Sequence, residues 1–107
     1  AVLPPALAVL NPKMADSGYP FQGLCGAGMA FKLVWALAKG LHGQQRISGP
    51  LARFFVESMA LVSLGTIADV APLVGENRVF ATFGLDLADH VAHVGGQVDR
   101  RVQPVLA

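Results

Sequence analysis

The sequence predicts an α/β chain that is mostly helical and is part of something larger. Three observations carry this. The apolar run Ala6-Leu7-Ala8-Val9-Leu10, between Pro5 and Asn11-Pro12, reads as a buried strand of the kind that parallel sheets use. Residues 29–41 and 51–67 are apolar with only thin polar stripes, the pattern of helices buried on most sides. Hydrophobic residues make up 53% of the 107 and charged residues 14%, against about 25% charged in an ordinary soluble domain. The chain is short of the side chains that cover a surface, so an oligomer or a longer polypeptide is expected to cover it. The opening Ala1-Val2-Leu3-Pro4-Pro5, with Met14 the first methionine, fits an excised or truncated segment.

The elements follow in order. Asn11-Pro12 turns the chain out of the strand. Residues 13–28 are loop-like, with Asp16-Ser17-Gly18, Tyr19-Pro20 and the glycines Gly23, Gly26 and Gly28 permitting tight backbone paths. Over residues 29–41 the only charges are Lys32 and Lys39, seven apart and on one helical face. Gly40 or Gly43 ends that helix. Ser48-Gly49-Pro50 starts the next, with a capping residue and a proline in the first turn. Arg53 and Glu57 mark its wet side, and Phe54, Phe55, Met59, Leu61, Val62 and Leu64 supply its buried faces. Pro72 stops it. Gly75-Glu76-Asn77-Arg78 is a polar turn or the start of a third helix through Val79, Phe80 and Phe83. Residues 84–107 change character, with Asp86, Asp89, His90, His93, Asp99, Arg100 and Arg101, and are expected to be a divergent tail or linker.

Composition excludes several classes. High hydrophobicity with low charge excludes disorder. A net charge of +1 gives no basic field for nucleic acid. The single Cys25 excludes a disulfide framework and a multi-cysteine zinc site, and makes a reducing, cytoplasmic setting the default. No charged n-region precedes an apolar segment as in a secretory signal. The longest uncharged stretch, residues 17–31, is broken by Pro20 and four glycines, whereas a membrane span needs about 20 consecutive apolar residues. No membrane span is expected.

Asp69 is the residue that asks for an explanation. It is the sole charge between Glu57 and Glu76, and a carboxylate among apolar neighbours is costly to bury without a partner. Two readings are open. It is a turn aspartate capping a local N–H before Pro72, or it is a metal ligand at a helix end, since hard divalent cations prefer carboxylate oxygens.

Two blocks carry a resemblance. The first is Ser63-Leu64-Gly65-Thr66-Ile67-Ala68-Asp69-Val70-Ala71-Pro72-Leu73 followed by Gly75-Glu76-Asn77-Arg78. The second is Asn11-Pro12, Tyr19-Pro20-Phe21, Gly23-Leu24-Cys25-Gly26-Ala27-Gly28 and Ala30-Phe31-Lys32-Leu33. Together they resemble the stretch of the DHH phosphoesterases that runs from just after the Asp-His-His motif through the fourth conserved motif. The match is closest to the RecJ-type single-strand-specific exonuclease group and covers about residues 3–80. The resemblance implies that residues 1–83 are the C-terminal part of a parallel-sheet catalytic domain. It also implies metal-dependent 5′-to-3′ hydrolysis of single-stranded DNA with Mn²⁺ or Mg²⁺, in repair and recombination, with Asp69 a metal ligand. The family's Asp-x-Asp, its second-motif Asp and the Asp-His-His itself are absent here. One carboxylate does not hold two metals that take about six ligands each, so this chain alone is expected to be inactive until it meets the remainder of its own domain.

Other candidates are weaker. Asp89-His90 lies after the fourth motif and is followed by Val91, the wrong order for a remnant of Asp-His-His. Asp86, His90 and His93 are spaced to share a helical face, and a solvated amphipathic segment explains that spacing equally. Cys25 reads as a small packing residue, with no histidine near it in sequence. Residues 23–28 lack the Gly-Lys-Ser/Thr ending of a phosphate loop and read as tight packing. Lys32 is the wet edge of its helix or a DNA contact. Arg78 is a phosphate contact or a partner for Glu76. The runner-up functions are a DHH-type phosphatase or nanoRNase, and a non-catalytic helical interaction module.

Overall fold

The computed structural model describes residues 2–94, with side chains as far as Asp89. Three helices make up its regular structure: α1 Gly26–His42, α2 Gly49–Ala68 and α3 Gly75–Val94. α1 begins where Cys25, in extended conformation, places its Sγ 3.5 Å from the Gly28 N–H as a side-chain cap. It ends at Gly43, whose φ of 57° lies in the left-handed region open to glycine. Lys39 and His42 occupy its last turn, where positive charge suits the carbonyl end of the helix. α2 begins after Ser48 with Pro50 in its first turn, as the sequence predicts, although the Ser48 side chain makes no capping bond.

α2 is the central element and packs against both neighbours, most extensively against α3. Its inner face carries Phe55, Val56, Met59 and Val62. Ser63 and Thr66 are buried on the same face, with their hydroxyls donating to Ala60 O at 3.0 Å and Val62 O at 2.7 Å. Those bonds satisfy polar groups that would otherwise be expensive in a core. Phe55 is the hub: its ring meets Phe31 at 5.6 Å and Trp35 at 5.1 Å, both edge to face, and Phe31 also meets Phe80 at 5.3 Å. Such pairs add about 0.5–1.5 kcal/mol each beyond the area they bury. From α3, Phe80, Ala81 and Leu87 complete the core. Gly84 lets α3 and α2 approach closely: a Cβ there would collide with Met59 O and lie 2.6 Å from Ser63 Cβ.

One expectation changes, and two others gain detail. Residues 6–10 form no strand; they are irregular and largely exposed. A strand needs a neighbour for its backbone N–H and C=O groups, and no second extended segment exists among the described residues. The part described is therefore helical rather than α/β. The alternatives at Gly75 resolve as a helix, which continues through residue 84 and buries Leu87, so the change of composition there is no helix end. Finally, α2 is long and apolar enough to cross a membrane by length and composition, because Arg53 and Glu57 are its only charges. Here its inner face forms the core of the three-helix assembly.

Candidate functional site

Asp69 is the C-cap of α2 and is exposed. The turn that carries it is a Schellman motif. The Val70 N–H donates to Ile67 O at 3.0 Å, and the Ala71 N–H donates to Thr66 O at 3.1 Å. The position that such a turn drives into the left-handed region, usually glycine, is here Val70, with φ 51°. A β-branched residue there is strained. The Asp69 backbone N–H is taken by Gly65 O at 3.0 Å, and its side chain has no partner among the described residues.

The loop beyond Asp69 is held from the other motif block. Asn77, fully buried in the first turn of α3, donates from Nδ2 to Gly23 O at 2.7 Å and to Pro72 O at 3.1 Å. Those two acceptors fix which way the amide points and leave Oδ1 facing away from both, without a partner among the described residues. The Phe21 ring lies over Gly75 and Gly23; a Cβ at either would come within 3.0 Å of it. Gly75 is doubly constrained, since its φ is 52°. Glu76 accepts from the Tyr19 hydroxyl at 2.6 Å and pairs with the Lys32 ammonium, which also lies 5.5 Å from the centroid of the Tyr19 ring. Gly75, Glu76 and Asn77 thus each engage one member of Tyr19-Pro20-Phe21-Gln22-Gly23. Cys25 Sγ, 3.1 Å from Thr66 Oγ1, makes a further tie between the blocks.

The charges in this cluster stabilise one another. Burial pushes the Glu76 carboxyl upward, but hydrogen bonds from Lys32 and Tyr19 outweigh it and hold the group below the ordinary 4.5. Burial pulls Lys32 down, and Glu76 and Tyr19 more than restore it, above 10.5. Tyr19 is raised by burial and by the carboxylate it faces.

The structure places the sequence candidates apart. Lys32 is engaged with Glu76. Arg78 is exposed one turn into α3, and Glu76 turns to Lys32 and Tyr19 instead of to it. Cys25 is buried packing, as expected. Asp86 is exposed on α3, while the side chains of His90 and His93 lie outside the described residues, and with them the Asp89-His90 pair and the three-residue metal reading. No three His, Cys, Asp or Glu side chains gather into a metal site among the described residues. Asp69 by itself fits one ligand of a divalent cation and not a complete site. The Tyr19–Glu76–Lys32 cluster and the Asn77 clamp escaped sequence reading. Their residues are 44–57 positions apart, and their only signal was membership of the two blocks.

Comparison with known proteins bears on those blocks. The single-stranded-DNA-specific exonuclease RecJ of Haemophilus influenzae is 40% identical over 83 residues, which is 78% of this chain and 14% of that protein. The chain belongs to the RecJ-type family. The RecJ exonuclease of Bacillus subtilis is 40% identical over 84 residues, 78% of this chain and 9% of its own. That of Escherichia coli is 38% identical over 88 residues, 78% of this chain and 15% of its own. No family model and no solved structure matches. The chain therefore spans about one seventh or less of the length of these RecJ-type relatives.

Proposed function

We propose that this chain is part of a metal-dependent exonuclease that degrades single-stranded DNA from the 5′ end, in the cytoplasm. Asp69 supplies one carboxylate to a Mn²⁺ or Mg²⁺ site whose other ligands lie outside the described residues. The supporting observation is the presentation of Asp69: an exposed carboxylate with no side-chain partner among the described residues, on a turn that the second motif block clamps in place. A bound metal would polarise the phosphodiester and a water molecule, which is worth several kcal/mol of transition-state stabilisation. This chain's own part is to hold the carboxylate still. Exposed Arg78 is the candidate contact for a DNA phosphate; Lys32 is the weaker one, being tied to Glu76.

The test is a chimera in which this chain replaces the matching segment of the Haemophilus influenzae exonuclease. At about 1.36 kcal/mol per tenfold, Asp69→Asn in that chimera lowers the rate on 5′-labelled single-stranded DNA about a hundredfold or more. DNA retention on a filter changes little. Undiminished turnover by the variant removes Asp69 from the mechanism. A chimera that cleaves only small phosphoesters favours the phosphatase or nanoRNase reading. The three-helix core favours a second reading, a non-catalytic helical module, and an inactive but well-folded chimera supports that one.

A further inference from the structure

Asp69 sits on a turn that has to be held. Val70, the next residue, has φ 51° and a side chain that is 88% exposed, so packing among the described residues does not keep it in the left-handed region. A β-branched residue stays there only when its surroundings over-determine the backbone. On the α2 side, the Val70 and Ala71 N–H groups are bonded back to Ile67 O and Thr66 O. On the far side the chain leaves through Pro72, whose carbonyl accepts from Asn77 Nδ2 at 3.1 Å. The same Nδ2 donates to Gly23 O at 2.7 Å, just ahead of α1. One amide therefore joins the exit of the Asp69 turn to the entrance of α1 and to the first turn of α3.

Asn77 is a poor choice for merely filling space. It is fully buried, and its Oδ1 has no partner among the described residues. A buried acceptor left unpaired destabilises a fold, and an apolar side chain of similar shape avoids that cost. Its two donations are what an apolar side chain could not supply. The anchor point is firm as well, because the adjacent Glu76 is held by Tyr19 and Lys32.

We infer that Asn77 is a positioning residue for Asp69: its tether to Pro72 O keeps Val70 left-handed and so fixes where the Asp69 carboxylate stands. This role rests on the proposed reading of Asp69 as a metal ligand and adds the residue that sets its aim. Loss of a group that orients a metal ligand without touching the metal lowers affinity about ten- to a hundredfold. Glycine takes the left-handed conformation without steric strain, so a Val70→Gly turn has little need of the tether.

The experiment titrates Mn²⁺ into the chimera described above, without DNA, and follows the electron paramagnetic resonance signal of the free ion. Asn77→Ala and Asn77→Leu, the second of which keeps a branched side chain in the space, raise the Mn²⁺ midpoint about tenfold. In the same variants kcat falls and the KM for single-stranded DNA is unchanged. Leu87→Ala, which empties the core further along α3, lowers the urea midpoint and leaves the Mn²⁺ midpoint where it was. In a Val70→Gly background the Asn77→Ala shift shrinks to about threefold or less, the mark of two coupled sites. In the 107-residue chain itself, Asn77→Ala speeds amide hydrogen exchange at Val70 and Ala71 about tenfold or more, while amides in the middle of α2 keep their rates. An unmoved Mn²⁺ midpoint in both Asn77 variants overturns the positioning role. So does a shift that Leu87→Ala reproduces, or one that Val70→Gly leaves at full size. Unchanged exchange at the turn overturns it too, as does loss of helical circular dichroism in both Asn77 variants, which makes Asn77 a folding residue. Failure of the underlying reading is distinguishable: there Asp69→Asn itself leaves the Mn²⁺ midpoint unmoved. Failure of the positioning role alone shows as an Asp69→Asn shift that the Asn77 variants do not share.

Discussion

Val70 is the residue whose backbone costs most. Left-handed conformation costs an L-residue about 1–2 kcal/mol, and at 88% exposure the side chain recovers nothing by packing within the described residues. Val70→Gly relieves that strain but adds about 0.5–1 kcal/mol of unfolded-state entropy. The net expectation is a chain more stable by about 0.5–1 kcal/mol, read as a higher urea midpoint at unchanged slope. A lower midpoint would mean that Val70 contributes a contact the turn geometry does not reveal. Glu76 is the second residue with a prediction. Its folded pKa is depressed, so its stabilisation is complete above the unfolded value near 4.5 and fades as pH falls through the folded one. Lys32 is raised, so its share is complete below 10.5 and fades as pH climbs through its folded value. Both side chains are about one third exposed, and solvent screening limits the pair to about 1 kcal/mol or less. The melting temperature should therefore be level between these limits and fall outside them. In Glu76→Gln the acid-side fall attributable to this group disappears, and an unaltered acid limb would show that other carboxylates set it.

At the scale of the helix, the contact between α2 and α3 rests on one missing side chain. Gly84→Ala gains about 1 kcal/mol of helix propensity. It also drives a methyl group into Met59 O and Ser63. Backbone oxygen cannot rotate away, so α3 must shift, and overpacking of this kind costs about 1–3 kcal/mol. The clash wins, and the substitution should lower the denaturation midpoint; a rise would show that the crossing is looser than the distances indicate. The same contact explains what was legible in the sequence. α1 and α2 were readable to within three residues at each end, because their apolar periodicity, Gly43 and Pro50 are local signals. α3 was only half legible: its first turn looks like a polar turn, and Gly84 lies in its middle for a tertiary reason that no local pattern carries. Residues 6–10 form no strand because a short apolar run between prolines specifies one only beside a neighbouring strand. For the site, Asp69 was legible as an isolated charge and through the motif block around it. The clamp that holds its turn was not, since Asn77 and Gly23, or Tyr19 and Glu76, meet only once the helices have packed.

Across the whole molecule, apolar surface and charge are out of proportion. A net charge of +1 supplies almost no mutual repulsion between copies, while Leu33, Leu37, Leu61 and Leu64 stand exposed on one side. Electrostatic and hydrophobic association respond oppositely to conditions, which makes the cause testable. Salt screens charge–charge attraction, with a Debye length of about 10 Å at 0.1 M. Sulfate strengthens apolar burial, and warming from near 0 °C strengthens it too. Sedimentation of the isolated chain should therefore show a mass that rises with protein concentration, with added sulfate and with warming from about 4 to about 25 °C. Leu61→Lys should blunt all three trends, whereas Arg53→Gln, which only removes one member of a surface ion pair, should leave them in place. A mass that falls with salt would mean that the copies meet through charge, and the outward face of α1 and α2 would then not be the surface on which they stick.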